Sequence, residues 1–355
     1  MQLLLVSTHC SPANKFLVFG SLYIYEPNKP APIAFAAIFA ISFVAHAYQC
    51  QRYKSWGTAG IQVFCALLYI AGYALREYGA WDNYIYDRNA PNSHTVLMTF
   101  IMGQVFIYVP PPLLELSNYH VLSRIFYYIP YMAPISPNKI FAIFGSLMSL
   151  VEIFNGLGVA FNSNPTGKEQ DAGRILVLVS LSIQLTVIIS FVVMTAVFWQ
   201  QCSRNNIRNQ AVPRLFIVLY LSMSLILIRC IYRLVDHAGQ TSKNFKNVQE
   251  ENQDSPLELY EWFFWVFEGT TMLANSLLWN YFNPGRFLPR STETWIGEDG
   301  LETGIPRNQK PPSTQSPVRM VMNILTVGMW SFIFQKKTDD TKYDEVGQGS
   351  ADQHN

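Results

Sequence analysis

The stretch "VPRLFIVLYLSMSLILIRCIYRLVDHAG" occupies residues 212–239. From Leu215 to Ile228 it is apolar apart from Ser222 and Ser224, and it then presents Arg229, Arg233 and Asp236 at i, i+4 and i+7. About 20 apolar residues, each rising 1.5 Å, cross a hydrocarbon core, so the run reads as a membrane span. A charge at the centre of such a helix costs about 2.5–3.5 kcal/mol on the insertion scale. A span with three ionisable side chains on one face needs partners from other spans, and the rest of the chain has to supply them.

It contains six more segments of suitable length. With 212–236 they give seven predicted spans: 31–49, 58–79, 95–122, 138–161, 172–199, 212–236 and 257–282. The fold class is therefore all-α, a polytopic membrane protein with a seven-transmembrane-helix bundle. Composition agrees: 50% of residues are hydrophobic and 14% charged, against about 25% charged in a soluble domain. Pro110, Pro111 and Pro112 interrupt the third span and predict a kink or break there. The opening "MQLLLVSTHC" lacks the basic start of a signal peptide, so the first span is expected to act as its own targeting signal.

Several function classes drop out. A net charge of +1, with no basic stripe, gives no case for nucleic acid. Cys10, Cys50, Cys65, Cys202 and Cys230 form no C-x-x-C pair, so no zinc or redox motif is indicated. His46 and His120 fall near the cytoplasmic side and His237 at the outer rim, which does not assemble a three-histidine zinc site. G-x-x-x-x-G-K-[ST] and G-x-S-x-G are absent. The sequence is read as a non-enzyme, with no catalytic residue, metal or cofactor.

Loop charges set the expected orientation. Arg52 and Lys54, Arg124 and Lys139, Arg204, Arg208 and Arg214, and finally Arg286 and Arg290 fall in alternate loops and after the last span. The intervening loops are acidic or mixed, with Asp82, Asp87 and Arg88, then Lys168, Glu169 and Asp171, then Glu250, Glu251 and Asp254 against Lys243 and Lys246. The positive-inside rule puts the N-terminus outside and the C-terminus in the cytoplasm. The expected organisation is an extracellular segment 1–30, a transmembrane domain 31–282 and a cytoplasmic tail 283–355. Within the tail, 318–334 reads as an interfacial helix, with an eighth span as the alternative.

Depth follows from orientation. The sixth helix runs outward, so Arg229 and Arg233 lie in its outer third with Asp236 at the rim. The seventh runs inward, placing Glu261 near the rim, level with Arg233, and Glu268 about 10 Å deeper, level with Arg229. Glu261, Trp265, Glu268, Met272 and Asn275 follow one helical stripe. Arg76 and Glu77 on the second helix, and Glu152 and Asn155 on the fourth, reach the same region. The expectation is a polar, hydrated cavity open to the outer leaflet, lined by Arg76, Glu77, Glu152, Asn155, Arg229, Arg233, Asp236, Glu261 and Glu268 as ligand-binding residues. Structural ion pairing between helices six and seven is the competing reading. A second group, His46, Glu115 and Gln184, reads as gating or polar-relay residues, or as plain interhelical hydrogen bonds.

"RCIYRLVDHAG", "YEWFFWVFEGTTM" and "NPG" in this order resemble the fungal lipid-translocating exporters, a seven-helix family of aminocholesterol-resistance and sphingoid-base-exporter proteins. "YEPNKPAPIAF" before His46 extends the resemblance, as do Gly72-Tyr73 with Arg76, a helix-three proline before Tyr119 and Arg124, Gly156 and Gly158, and Gly173 with Gln184. Tyr69, Glu115, Asn155, Asn283 and the order Asp236 then Glu268 depart from the family pattern. The resemblance implies a plasma-membrane protein handling membrane lipids, with sphingoid long-chain bases among them, and resistance to toxic amphiphiles. A seven-helix receptor or lipid sensor has the same topology, although DRY-like and NPxxY-like signals are missing.

Overall fold

The structure is a computed structural model that describes residues 22–23, 27–81, 93–129, 137–162, 170–204, 211–245, 260–289, 294–296 and 302–304. The expected interfacial helix at 318–334 and the loops carrying Asp87, Lys168, Arg208 and Glu250 lie outside the described residues.

Every predicted span is a helix. In chain order they are α1 (Pro30–Tyr53), α2 (Trp56–Ala80), α3 (Ser93–Tyr108), α4 (Pro110–Tyr128), α5 (Pro137–Asn162), α6 (Gln170–Arg204) and α7 (Ala211–Phe245). The last span is built from α8 (Glu261–Phe264), a π-helical turn (Trp265–Thr270) and α9 (Thr271–Tyr281), and the short α10 (Pro284–Phe287) follows. Six of the described helices, counting α3 with α4 as one, are long and apolar enough to cross a membrane. The rod α8–π–α9 completes the seven. Helices run past the predicted ends, α7 as far as Phe245. Polar turns at a membrane surface keep their backbone hydrogen bonds but carry no hydropathy signal.

The proline triplet divides the third span less sharply than its composition suggests. Val109, between α3 and α4, keeps right-handed helical angles (φ −72°, ψ −38°). Pro110 to Pro112 fill the first turn of α4, where the missing N–H groups would have had no intrahelical acceptor. The Pro110 carbonyl, at the start of α4, also accepts from the Cys65 Sγ–H at 3.7 Å.

The bundle keeps its charged spanning-segment side chains within an apolar core and presents apolar side chains outside. Ile41, Val44, Ile153 and Val193 stand more than half exposed, whereas Arg76, Glu115, Arg229 and Glu268 are buried. That inversion suits a lipid exterior, where apolar surface carries no penalty. Ser149, Thr186, Ser190, Thr195 and Ser224 each bond the carbonyl four residues back, so their hydroxyls are satisfied within their own helix.

Neighbouring helices pack in sequence order, and α9 closes the bundle against α1 and α7. Two crossings depend on glycine. A Cβ at Gly72 would lie 2.7 Å from Ile107 Cγ1, and one at Gly158 would lie 2.9 Å from the carbonyl oxygen of Gly173. Both contacts are closer than any methyl group could make. A short antiparallel pair, Thr294–Ile296 with Glu302–Gly304, sits against α4 and has no counterpart among the sequence expectations.

Candidate functional site

Two buried ion pairs mark the site, at different depths. At the rim, Arg76 of α2 donates to Glu261 Oε1 at 3.0 Å. The other oxygen of Glu261 accepts the backbone N–H of Asn28 at 2.8 Å, just before α1 begins. The Arg76 guanidinium is packed among rings, 4.1 Å from the centroid of Phe264, 4.7 Å from Tyr23 and 5.2 Å from Trp265. Each ring face is electron-rich and adds attraction for the cation.

Two helical turns deeper, Arg229 Nε donates to Glu268 Oε1 at 2.5 Å, with the two side chains 4% and 1% exposed. This is the pair that depth counting places at one level. The π turn positions it. Widening the helix by one residue at Trp265–Thr270 brings Glu268 and Gly269 to the buried side. Gly269 sits in a tight place, where a Cβ would lie 3.0 Å from the Phe35 ring and 3.2 Å from the Tyr73 hydroxyl and would push those rings back by a few tenths of an ångström.

An aromatic column joins the two layers. Trp265 stacks on Phe35 at 5.0 Å and lies 5.8 Å from Tyr73. Phe39 stacks on Tyr69 at 4.4 Å and lies 5.7 Å from Tyr73. The column therefore runs from beneath Arg76 down to Tyr69, whose phenol lies in the electrostatic range of Arg229 and Glu268. Several polar atoms along it have no hydrogen-bond partner in the protein, the hydroxyls of Tyr69 and Tyr73, Trp265 Nε1 and Glu268 Oε2, and both amide atoms of Asn275, two turns further along α9, also lack one. Buried polar groups of this kind are almost always satisfied, by protein or by ordered water, so their concentration sets this part of the interior apart.

Other expected residues are distributed around this axis. Arg233 does not meet Glu261. It lies 3.9 Å from the centroid of Tyr108 and 3.2 Å from His237 Nε2. Depth reasoning fixes height along a helix but not direction around it, and α2 presents its own arginine to Glu261 first. Asp236 is half-buried and within electrostatic range of Tyr108. Glu152 of α5 feels both Arg229 and Arg233. Asn155 sits one turn further along α5, with a buried Oδ1 that lacks a protein partner. Glu77 is turned away, accepting the Trp81 indole N–H at 2.5 Å, since adjacent helix residues point about 100° apart. Arg229 and Glu268 are both under 5% exposed, so the deeper pair is enclosed by the bundle. A separate groove of about 580 Å³, lined by Trp199, Gln200, Ser203, Tyr220 and Leu221, lies between α6 and α7 near the α6–α7 connection.

The second predicted group separates into two sites. Glu115 and Gln184 are in direct contact: the Gln184 amide donates to Glu115 Oε1, and the Tyr119 hydroxyl donates to Oε2 at 3.2 Å. His46 belongs elsewhere, in a polar ladder between α1 and α9. Ser42 meets Ser276 at 2.6 Å, and His46 Nε2 meets the same hydroxyl at 3.3 Å. Asn280 Nδ2 donates to Ser42 Oγ at 2.5 Å, Gln49 to the Asn280 carbonyl at 2.8 Å, and Asn283 to Gln49 at 2.9 Å. The spacing of Ser42, His46 and Gln49 against Ser276, Asn280 and Asn283 is i, i+4, i+7 on both helices, which was the signal available in the sequence. Tyr69 and Tyr73 enter the sequence reading only through the family resemblance, because in an apolar run a phenol passes as a hydrophobe.

Residues 62–291 match a protein family described as RTA1 like protein. A lipid-translocating exporter-like protein RTA1 of Leptosphaeria maculans is 41% identical over 331 residues, covering 91% of this chain and 61% of its own length. A probable lipid transporter, atnI, of Emericella nidulans is 22% identical over 82% of this chain and 73% of its own. Protein RTA1 of Saccharomyces cerevisiae is 24% identical over 72% and 83%. The chain spans 61% and 63% of the length of the first two curated relatives it matches. No solved structure matches it.

Proposed function

The chain belongs to the RTA1-like protein family, and from that premise we propose that it translocates amphiphilic lipids across a membrane, holding the head group along the axis between the two ion pairs. The carrying observation is the aromatic column between Arg76–Glu261 and Arg229–Glu268, with unpartnered buried polar atoms along it. A head group stepping from the rim pair to the deeper pair moves about 10 Å, two turns of helix. It exchanges one charge-assisted set of contacts for another while its tail stays in lipid. The names of the relatives support the same reading, as exporter-like and probable lipid transporter proteins.

Sphingoid long-chain bases are the proposed cargo class. A primary ammonium suits the free oxygen of Glu268 and the ring faces of Tyr69, Tyr73 and Trp265. The proposed orientation has the Arg76–Glu261 end facing outward. Arg52, Lys54, Arg124, Arg204, Arg214 and Arg286 all fall at the opposite ends of their helices, and the positive-inside rule assigns that side to the cytoplasm. The plasma membrane is the proposed location, and the site opens to the outer leaflet in a second state reached by parting α8 from α2.

Transfer of a fluorescent sphingoid base between leaflets of proteoliposomes tests the proposal. The full-length protein should raise the transfer rate, and Glu268→Gln should lower it roughly tenfold, equivalent to about 1.4 kcal/mol of differential interaction. Equal rates in protein-free vesicles, or in the variant at matched incorporation, would remove the basis for the proposal. Tight binding without transfer would favour a lipid receptor instead.

A further inference from the structure

Glu115 differs from the other membrane-buried glutamates that the structure pairs. Glu261 and Glu268 each face an arginine, which can only donate. Glu115 is fully buried, and its hydrogen-bond partners are Gln184 and Tyr119. An amide and a phenol can each both donate and accept. By turning the amide and the hydroxyl, the same two partners can serve Glu115 as carboxylate or as carboxylic acid. A pair of this type fits a carboxyl that changes state.

Charge balance points the same way. Arg76 is matched by Glu261. Around Arg229, Glu268 bonds directly while Glu115 and Glu152 lie within its electrostatic range. Arg233 is the other guanidinium that Glu152 feels. Among the described residues this interior holds three carboxyls and two guanidiniums, so neutrality calls for one more cation. The groups facing Glu115 are Tyr119 on its own helix, Glu152 of α5, and Arg229 and Cys230 of α7, with the neutral Gln184 from α6. Against α4, α2 presents Gln62, bonded to Ser117, and Cys65, bonded to the Pro110 carbonyl. α3 continues into α4 and carries Tyr108, whose ring faces Arg233, while Thr294–Ile296 has no titratable side chain.

We propose that Glu115 is a proton-carrying site coupled to the deep ion pair, holding a proton when the axis is empty and releasing it when a cationic head group settles beside Glu268. The O–H bond of Glu115 breaks and its proton passes to water. The carboxylate left behind is balanced by the entering ammonium, so the net charge of the interior is unchanged. Translocation of a cationic amphiphile is thereby exchanged for a proton moving the other way. This inference rests on the lipid-handling reading and adds its coupling ion.

Two measurements on the purified full-length protein in detergent test it. In infrared spectra, exchange into deuterium oxide should shift a buried carboxylic-acid carbonyl band that is lost in Glu115→Gln and kept in Glu268→Gln. In weak buffer with an indicator dye, dodecylammonium should release one proton per amine bound, and Glu115→Gln should bind it and release none. Glu115→Asp, which keeps a carboxyl, should restore the release if the glutamine variant proves unstable. No carboxylic-acid band, or a band unchanged in Glu115→Gln, overturns the assignment. Binding without proton release overturns the exchange alone, whereas no binding to the wild type overturns both the exchange and the lipid-handling reading.

Discussion

Removing Arg229 should cost more than removing its partner, and the difference can be worked out from the interior. The pair is 2.5 Å long and its side chains are 4% and 1% exposed. Breaking such a pair from one side leaves an uncompensated charge and costs about 3–5 kcal/mol. Arg229→Met leaves Glu268 without its guanidinium and takes the same cation from the neighbourhood of Glu115 and Glu152, so the full cost applies. Glu268→Gln leaves Arg229 with those two carboxyls in range, and its cost should stay near about 1–3 kcal/mol, that of a buried group losing one hydrogen bond. Replacing both, as Arg229→Met with Glu268→Met, removes the desolvation penalty as well and should recover most of the loss. Melting of the detergent-solubilised protein, followed by tryptophan fluorescence, ranks the three. With about 2–4 °C per kcal/mol for large domains, Arg229→Met should fall by roughly 6–20 °C. The reasoning is refuted if Glu268→Gln falls as far as Arg229→Met, or if the double variant melts no higher than Arg229→Met.

Two further outcomes follow from packing and burial. Gly158→Ala places a methyl 2.7 Å from Val177 Cγ2 and 2.9 Å from the Gly173 carbonyl oxygen, and should cost about 1–3 kcal/mol. Gly156→Ala meets nothing within 4 Å and should be neutral, or stabilising by up to about 1 kcal/mol through helix propensity; equal melting shifts for the two would contradict the crossing geometry. Tyr23, ahead of α1, has its phenol raised above the ordinary 10.0, chiefly by burial and against the opposing pull of Arg76. A folded value above the unfolded one gives stability that is complete below pH 10 and lost as pH rises beyond it. Tyr23→Phe should therefore flatten the alkaline arm of the melting profile; an unchanged slope would show that the phenol does not contribute to it.

The spans were legible because their signal is length and apolarity, and a lipid exterior leaves little else for those residues to report. The Arg229–Glu268 pair was legible because rise per residue gives depth, and charges at equal depth in one bundle seek each other. Arg233 and Glu77 show where this stops. Depth says nothing of azimuth, and azimuth depends on how α2, α3 and α7 rotate to seat Gly72 against Ile107 and Arg233 over Tyr108. The π turn is equally hidden, since "WVFEGT" follows ordinary helical patterning and only the backbone of Trp265–Thr270 reveals the altered register. Ser42, Gln49, Ser276 and Asn280 are individually unremarked in any span, and they gain meaning only as facing rows. The charges expected around an outward-open hydrated cavity find partners within the bundle in three cases, Arg229 with Glu268, Arg76 with Glu261 and Arg233 over the Tyr108 ring, whereas Glu77 turns to Trp81.

The ladder between α1 and α9 also has a bearing on biosynthesis. His46 and its partner, Ser276, are separated by 230 residues, and Ser42 waits 238 residues for Asn280. At synthesis rates of about 5–20 residues per second, the first helix spends roughly 10–50 s in the bilayer before the last emerges. Throughout that interval its imidazole and hydroxyl have no ladder partner, because the strand of chain that will supply one has not yet left the ribosome. Completion of the bundle is thus timed by its final segment, and a product stopped short of Tyr260 retains an unclosed polar seam.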